Sequence, residues 1–317
     1  MYIPPTSLPS QQMDVTRLPN PSVKASLAKL GLSPRKALGQ HFLVSRGAVA
    51  TILRAAEIGP EDTVVEVGPG LGVMTSELVQ RAKRVVAVEL DQELAVALER
   101  ELGAAKLKMV CADARQVDIT ELSGGEPYKL VANLPYYAAS PILRRFLESQ
   151  HPPTRAVVMV QREVARNMAA QPGGMSLMSV GIQLYGRPRI VGYVPPASFY
   201  PPPKVTSAIV RIDVYPRPAL ALDDTEAFFK VVRAGFSAPR KQLRNALAQG
   251  LVVRAEEALA LLEKAGVDPS RRPATLSLEE WGSLYRSVQE RPVYVRAGRG
   301  STSSPRTEGL QDRSLLR

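Results

Sequence analysis

The chain has 317 residues, 45% of them hydrophobic, with a formal net charge of +11 and a pI near 9.9. A single cysteine, Cys111, and two histidines, His41 and His151, exclude a disulfide framework and argue against a cysteine- or histidine-rich metal site. No apolar run approaches the roughly 18 residues needed to cross a bilayer. The excess of Lys and Arg favours a polyanionic partner, nucleic acid ahead of an anionic membrane surface.

Residues 1–22 are aperiodic and rich in Pro, Ser and Gln, which predicts a disordered leader without the apolar segment of a secretory signal. Met13 is an alternative start. A reducing, cytoplasmic location is expected, and Cys111, set in an apolar run, is expected to be a buried thiol. A short helix is expected from Ser22 to Leu30, stopping at Gly31.

From there the pattern alternates. Thr63–Val67, Val85–Glu89, Lys108–Cys111, Lys129–Asn133 and Ala156–Gln161 are short Val-rich runs suited to buried parallel strands. Between them Thr75–Lys83, Asp91–Leu102, Ser140–Glu148 and Glu163–Ala170 read as helices, with Asp91 an N-cap and Gly103 a C-cap for the second. Such alternation predicts a doubly wound, Rossmann-like α/β domain over residues 23–215. Arg189–Val194 and Ser207–Val214 flank a proline-rich loop and predict an antiparallel hairpin at the sheet edge. Pro216 and Pro218 mark a boundary. Beyond it, helical patterns at about 224–236, 239–250, 254–265 and 277–288 predict a small all-helical domain over 216–290. The last segment, 291–317, carries six Arg against Glu308 and Asp312 and reads as a disordered basic tail.

The chemistry sits at strand ends, where an open α/β sheet binds its ligands. The first strand runs into Gly68-Pro69-Gly70-Leu71-Gly72, glycines that let backbone turn sharply and approach a ligand. The spacing is neither the Gly-x-Gly-x-x-Gly of dinucleotide enzymes nor a phosphate-cradling loop ending in Gly-Lys-Ser/Thr. Glu89 closes the second strand, where a carboxylate can accept both ribose hydroxyls, with Leu90 beside it. Asp113 and Ala114 follow the third strand, and Asp113 is placed to accept a bond from an adenine amine. After the fourth strand comes Asn133-Leu134-Pro135-Tyr136: an amide for an exocyclic amine and a ring for a base, which suggests chemistry on an unpaired base.

Taken singly these features have ordinary readings: a proline turn, a solvated strand end, a helix N-cap. A glycine loop with an acid after strand two fits NAD or S-adenosylmethionine alike. The further acid and the Asn-Leu-Pro-Tyr stretch make a methyltransferase layout instead. The same motifs leave two other classes open. One is a binding protein that keeps the fold, the other a methyltransferase of protein glutamine or DNA adenine.

Together with Lys36-Ala37-Leu38-Gly39-Gln40-His41-Phe42-Leu43 and Ser198-Phe199-Tyr200-Pro201-Pro202-Pro203-Lys204-Val205, these residues closely resemble the ribosomal RNA adenine N6,N6-dimethyltransferases of the KsgA (RsmA) type. The resemblance spans about residues 24–290. It implies a class I methyltransferase fold with S-adenosylmethionine as cofactor. Gln40, His41, Leu43, Gly68, Gly70, Glu89, Leu90, Asp113, Ala114 and Asn133 would border that cofactor. Asn133, Leu134, Tyr136 and Phe199 would hold the target adenine. His41 departs from the asparagine more often found there. The implied substrate is two adjacent adenines near the 3′ end of 16S rRNA, in an immature small ribosomal subunit, acted on by a monomer without metal. Arg240, Lys241, Arg244, Arg271 and Arg272 are expected to form an RNA-contacting face.

Overall fold

Strands buried on both faces are mostly apolar, and the Val-rich runs supply such residues. In the computed structural model, which describes residues 39–103 and 105–290 together with Val23, Ala25, Leu27 and residues 33–35, each run is a strand. Five are parallel: β2 (Thr63–Val67), β3 (Arg84–Glu89), β4 (Leu107–Cys111), β5 (Tyr128–Asn133) and β6 (Arg155–Gln161). The antiparallel pair β7 (Gly186–Val194) and β9 (Ser207–Val214) completes a seven-stranded sheet of order β4-β3-β2-β5-β6-β9-β7. The expected hairpin is therefore present, with β9 inside the sheet and β7 at its edge.

Alternation along the strands divides two cores. Val65, Val67, Val86, Val88, Leu130 and Val158 pack on one face, with α4 (Ile119–Ser123) and α5 (Ala139–Leu147). Val64, Val85, Val131 and Val157 pack on the other, against α1 (Arg46–Ala56) and α2 (Val73–Arg81). Helices α3 (Gln92–Leu102) and α6 (Arg162–Met168) complete the βα alternation. Asp91 caps α3 as expected, accepting from the Glu93 and Leu94 amides.

Beyond the sheet, α8 (Thr225–Phe236), α9 (Leu243–Gly250), α10 (Ala255–Lys264) and α11 (Leu278–Gln289) bury Phe228, Leu243, Leu262 and Trp281 together. That core also takes Val180 and Leu184 from α7 (Leu177–Gln183) and the segment after it, so the sheet half contributes to it directly.

Several expectations need correction. Cys111 is exposed, because β4 is the sheet edge and Cys111 is its last residue. The helix expected over 239–250 starts only at Leu243. A turn closed by the Lys241 amide on the Ala238 carbonyl takes up the residues before it. Helices α1, α4 and α7 were not expected. The leader 1–22 and tail 291–317 lie outside the described residues, as do most of the expected 22–30 helix and Lys36-Ala37-Leu38; Val23, Ala25 and Leu27 are helical.

Candidate active site

The carboxyl ends of β2, β3, β4 and β5 open into one crevice, enclosing about 1130 Å³ with its open mouth included. Every residue expected to contact cofactor or target base borders it: Gln40, His41, Leu43, Gly68, Gly70, Glu89, Leu90, Asp113, Ala114, Asn133, Leu134, Tyr136 and Phe199. The crevice owes its second wall to a two-stranded pairing far apart in sequence. β1 (Phe42–Leu43) runs antiparallel to β8 (Phe199–Tyr200), with Phe42 opposite Tyr200 and Leu43 opposite Phe199. The Val44 amide extends this pairing onto the Ser198 carbonyl.

The floor is shaped by glycine. Gly68 has φ +72°, and a Cβ there would lie 2.9 Å from the Asn133 carbonyl oxygen, so the loop touches the end of β5 directly. At Gly70 a Cβ would meet the Phe42 ring at 3.1 Å. The two glycines thus let the loop pack directly against the end of β5 and the Phe42 ring.

Three acids line or underlie the cradle in different states. Glu89 is nearly buried at its rim and accepts from the Asp91 amide at 3.0 Å. Burial raises its pKa, opposed by backbone donation from Asp91 and Gly70. Asp113 is held below the usual carboxylate range by Arg115, whose guanidinium forks onto it. Glu66, below the loop, is 0% exposed, and its carboxyl oxygens have no hydrogen-bond partner among the described residues. Burial, opposed by the nearby Thr75 hydroxyl and helped to a smaller extent by the neighbouring Glu89 charge, pushes its pKa up to about 8. Burial thus favours its protonated, neutral form.

The opposite wall of the crevice is equally constrained. Asn133 Nδ2 donates to the His41 carbonyl at 3.4 Å, leaving Oδ1 as the acceptor of that amide. His41 Nδ1 lies 2.6 Å from the Pro201 carbonyl, and its ring stacks on Tyr136 at 5.8 Å between centroids, 28° between planes. Tyr136 is half-buried, while Phe199 is only 3% exposed yet still borders the crevice. Leu134 is buried, its amide donating to Met159.

Other partners were not legible in advance. Gln40 donates to Asp91 at 3.0 Å and accepts from the Arg35 amide, and Arg35 itself pairs with Asp91 and Glu93. The segment before β1 is thereby tied to the cap of α3. Tyr137 is 56% exposed at the mouth, its ring against Gly39. The two-residue spacing of Asp113 and Arg115 held the only advance signal for their fork.

The expected RNA-contacting residues separate. Arg240, Lys241 and Arg272 are exposed, with no ion pair among the described residues. Arg244 is partly buried, and Arg271 is committed to Glu280 and Thr275 inside the helical unit. Arg271 is thus a structural clamp rather than a surface cation. Among the described residues no group of three or more His, Cys, Asp or Glu could hold a metal ion, and no helix is long and apolar enough to cross a membrane.

A Rossmann-like sheet with a glycine cradle, an acid on each of the next two strand ends and an amide-aromatic wall defines a class I S-adenosylmethionine-dependent methyltransferase. The family model for ribosomal RNA adenine dimethylase matches residues 31–290. A relative from Dehalococcoides mccartyi, named ribosomal RNA small subunit methyltransferase A, is 51% identical over 264 residues, 82% of this chain and 90% of its own. A Moorella thermoacetica relative of the same name is 44% identical over 277 residues, 84% of this chain and 96% of its own. The solved structure of the 23S rRNA methyltransferase ErmE matches at TM-score 0.64 and 29% identity, covering 78% of this chain and 100% of that one. A dimethyladenosine transferase from Plasmodium falciparum shares the fold at TM-score 0.67 and 24% identity, over 77% of this chain and 96% of that one. The chain belongs to the ribosomal RNA adenine dimethylase family.

Proposed function

We propose that this chain transfers methyl groups from S-adenosylmethionine to the N6 amines of two adjacent adenines near the 3′ end of 16S rRNA. The substrate is an immature small ribosomal subunit, met in the cytoplasm by a monomeric enzyme. The observation that carries this reading is the convergence of Asn133, Tyr136 and Phe199 with the Gly68–Gly70 cradle and Glu89 in one crevice. The relatives named for the small subunit are 51% and 44% identical, against 29% for the 23S enzyme, which favours the small-subunit substrate. We assign residues 23–215 to the methyltransferase unit and 216–290 to an RNA-contacting helical unit.

When bound, the cofactor supplies a methyl already activated on a sulfonium, so the protein's task is placement. Glu89, its carboxylate fixed by the Asp91 amide, suits the two ribose hydroxyls. Asp113 suits the cofactor's adenine amine. Gly68 and Gly70 let the backbone approach, and Gln40, His41, Leu43, Leu90 and Ala114 close the remaining sides.

An adenine amine is a weak nucleophile because its lone pair is delocalised into the ring. Acceptance of its two hydrogens by Asn133 Oδ1 and the Leu134 carbonyl favours a tetrahedral nitrogen and frees that lone pair. Holding that nitrogen toward the cofactor's activated methyl would then supply much of the acceleration. Stacking on Tyr136 and Phe199 offsets removal of the base from its neighbours, at about 1–3 kcal/mol per base. Aromatic faces also favour the positive charge that develops on the nitrogen.

The test is labelled cofactor with small subunits lacking the modification, followed by mapping of modified bases. Label on two adjacent adenines is expected from the wild-type chain. Asn133→Ala should lose it while binding cofactor within a few fold. Label elsewhere, or unchanged turnover in the variant, refutes the reading.

A further inference from the structure

A carboxylate on an exposed turn rotates freely, and a freely rotating acceptor discriminates poorly between an amine and an oxo group. Asp113 is instead held at both oxygens by Arg115. The Arg115 amide donates to Oδ1 at 2.9 Å, Nε reaches both oxygens at 3.0 Å, and Nη2 reaches Oδ2 at 2.6 Å. The Gln116 amide also donates to the Asp113 carbonyl at 2.8 Å, closing the turn on which both side chains sit. An arginine fork imposes a plane on the carboxylate it binds. Here the backbone amide, Nε and Nη2 of Arg115 donate to it, and a carboxylate has about four acceptor positions, so about one acceptor position remains. Both residues border the crevice.

We propose that Arg115 is a positioning residue for cofactor recognition, orienting the Asp113 carboxylate so that its remaining acceptor position takes the exocyclic amine of the adenine base. The inference rests on the assignment of Asp113 to that amine. In this assignment Arg115 acts through Asp113 and not on the base. Its contribution therefore exists only for a base that carries a donor at that position, and only while Asp113 is present.

Calorimetry on the full-length chain tests this with two ligands: S-adenosylhomocysteine, and its inosine counterpart, in which an oxo group replaces the amine. Arg115→Ala should weaken the adenine ligand about fivefold, the upper end for a half-exposed ion pair. It should leave the inosine ligand within about twofold on the same scale, and Arg115→Lys should fall between wild type and Ala. In an Asp113→Ala background the arginine substitution should have no further effect. Equal weakening of both ligands, unchanged affinity, or tighter binding on loss of Arg115 overturns the proposal. If Asp113→Ala itself leaves affinity unchanged, the assignment of Asp113 fails as well. If Asp113→Ala weakens binding and Arg115→Ala does not, the proposal alone fails.

Discussion

The Tyr136 hydroxyl lies 2.6 Å from Ser207 Oγ, joining the aromatic wall after β5 to the first residue of β9. With His41 stacked on the same ring, Tyr136 is fixed at its edge and at its face. A ring so held can receive a base without first losing its own rotational freedom.

Tyr136→Phe keeps the face and removes the anchor, whereas Tyr136→Ala removes both. Methylation of small subunits, measured as kcat/KM, should fall a few fold in the first. In the second it should fall about 5- to 150-fold, the equivalent of 1–3 kcal/mol of stacking. Equal losses in the two variants would show that the hydroxyl, not the ring, carries the effect.

Gly68→Ala should be costly for two separate reasons, the +72° φ and the 2.9 Å approach to the Asn133 carbonyl. Gly125 has φ +73° but open space around it, so Gly125→Ala isolates the conformational part. That part costs about 1 kcal/mol or more. Melting temperatures should drop in both variants, further in Gly68→Ala, and only Gly68→Ala should weaken cofactor binding by calorimetry.

Glu66 gives a pH signature. Its folded-state pKa of about 8 stands above the unfolded value, so below the unfolded value both states hold the proton. As pH rises between the two, only the unfolded state releases it, and stability falls until the pH passes about 8. Denaturant unfolding from pH 5 to 9 should record that decline, each tenfold change in acidity constant representing about 1.4 kcal/mol. Glu66→Gln should flatten it; an unchanged slope would place the titration elsewhere.

Glu89→Ala removes a rim carboxylate already fixed by the Asp91 amide. Cofactor affinity should fall at least about tenfold, since about 1.4 kcal/mol is the worth of one charge-assisted hydrogen bond. Calorimetry showing equal affinity would remove Glu89 from the ribose.

Arg240 and Lys241 are exposed cations, Arg271 a clamp on Glu280. Replacing the first two with Glu should lower the salt dependence of RNA binding by about one in slope for each phosphate they neutralise. Arg271→Ala should lower the melting temperature instead. A full salt slope in the double variant would remove this face from the RNA interface.

Much of the site was legible because its residues mark strand ends. Val64-Val65-Glu66-Val67 ends at Gly68, Val85–Val88 at Glu89, and Leu130–Ala132 at Asn133. A parallel sheet brings such ends to one edge whatever the loops between them do. Helix α1 was harder to read, its Ser45 cap preceding a run with no acid in the first turn. Helix α9 was misjudged because Pro239 is compatible with a first helical turn, whereas the chain closes a separate turn there through the Lys241 amide and the Ala238 carbonyl.

The sequence by itself determined the strands, their order of chemistry and the crevice they share, because side-chain period and glycine placement act locally. Only the tertiary structure decided that Phe42–Leu43 pairs with Phe199–Tyr200, that His41 reaches Pro201, and that Tyr136 is tied to Ser207. Those partners lie as many as 160 residues apart. Which of many distant groups a side chain meets depends on how the whole core closes, and no local period records it.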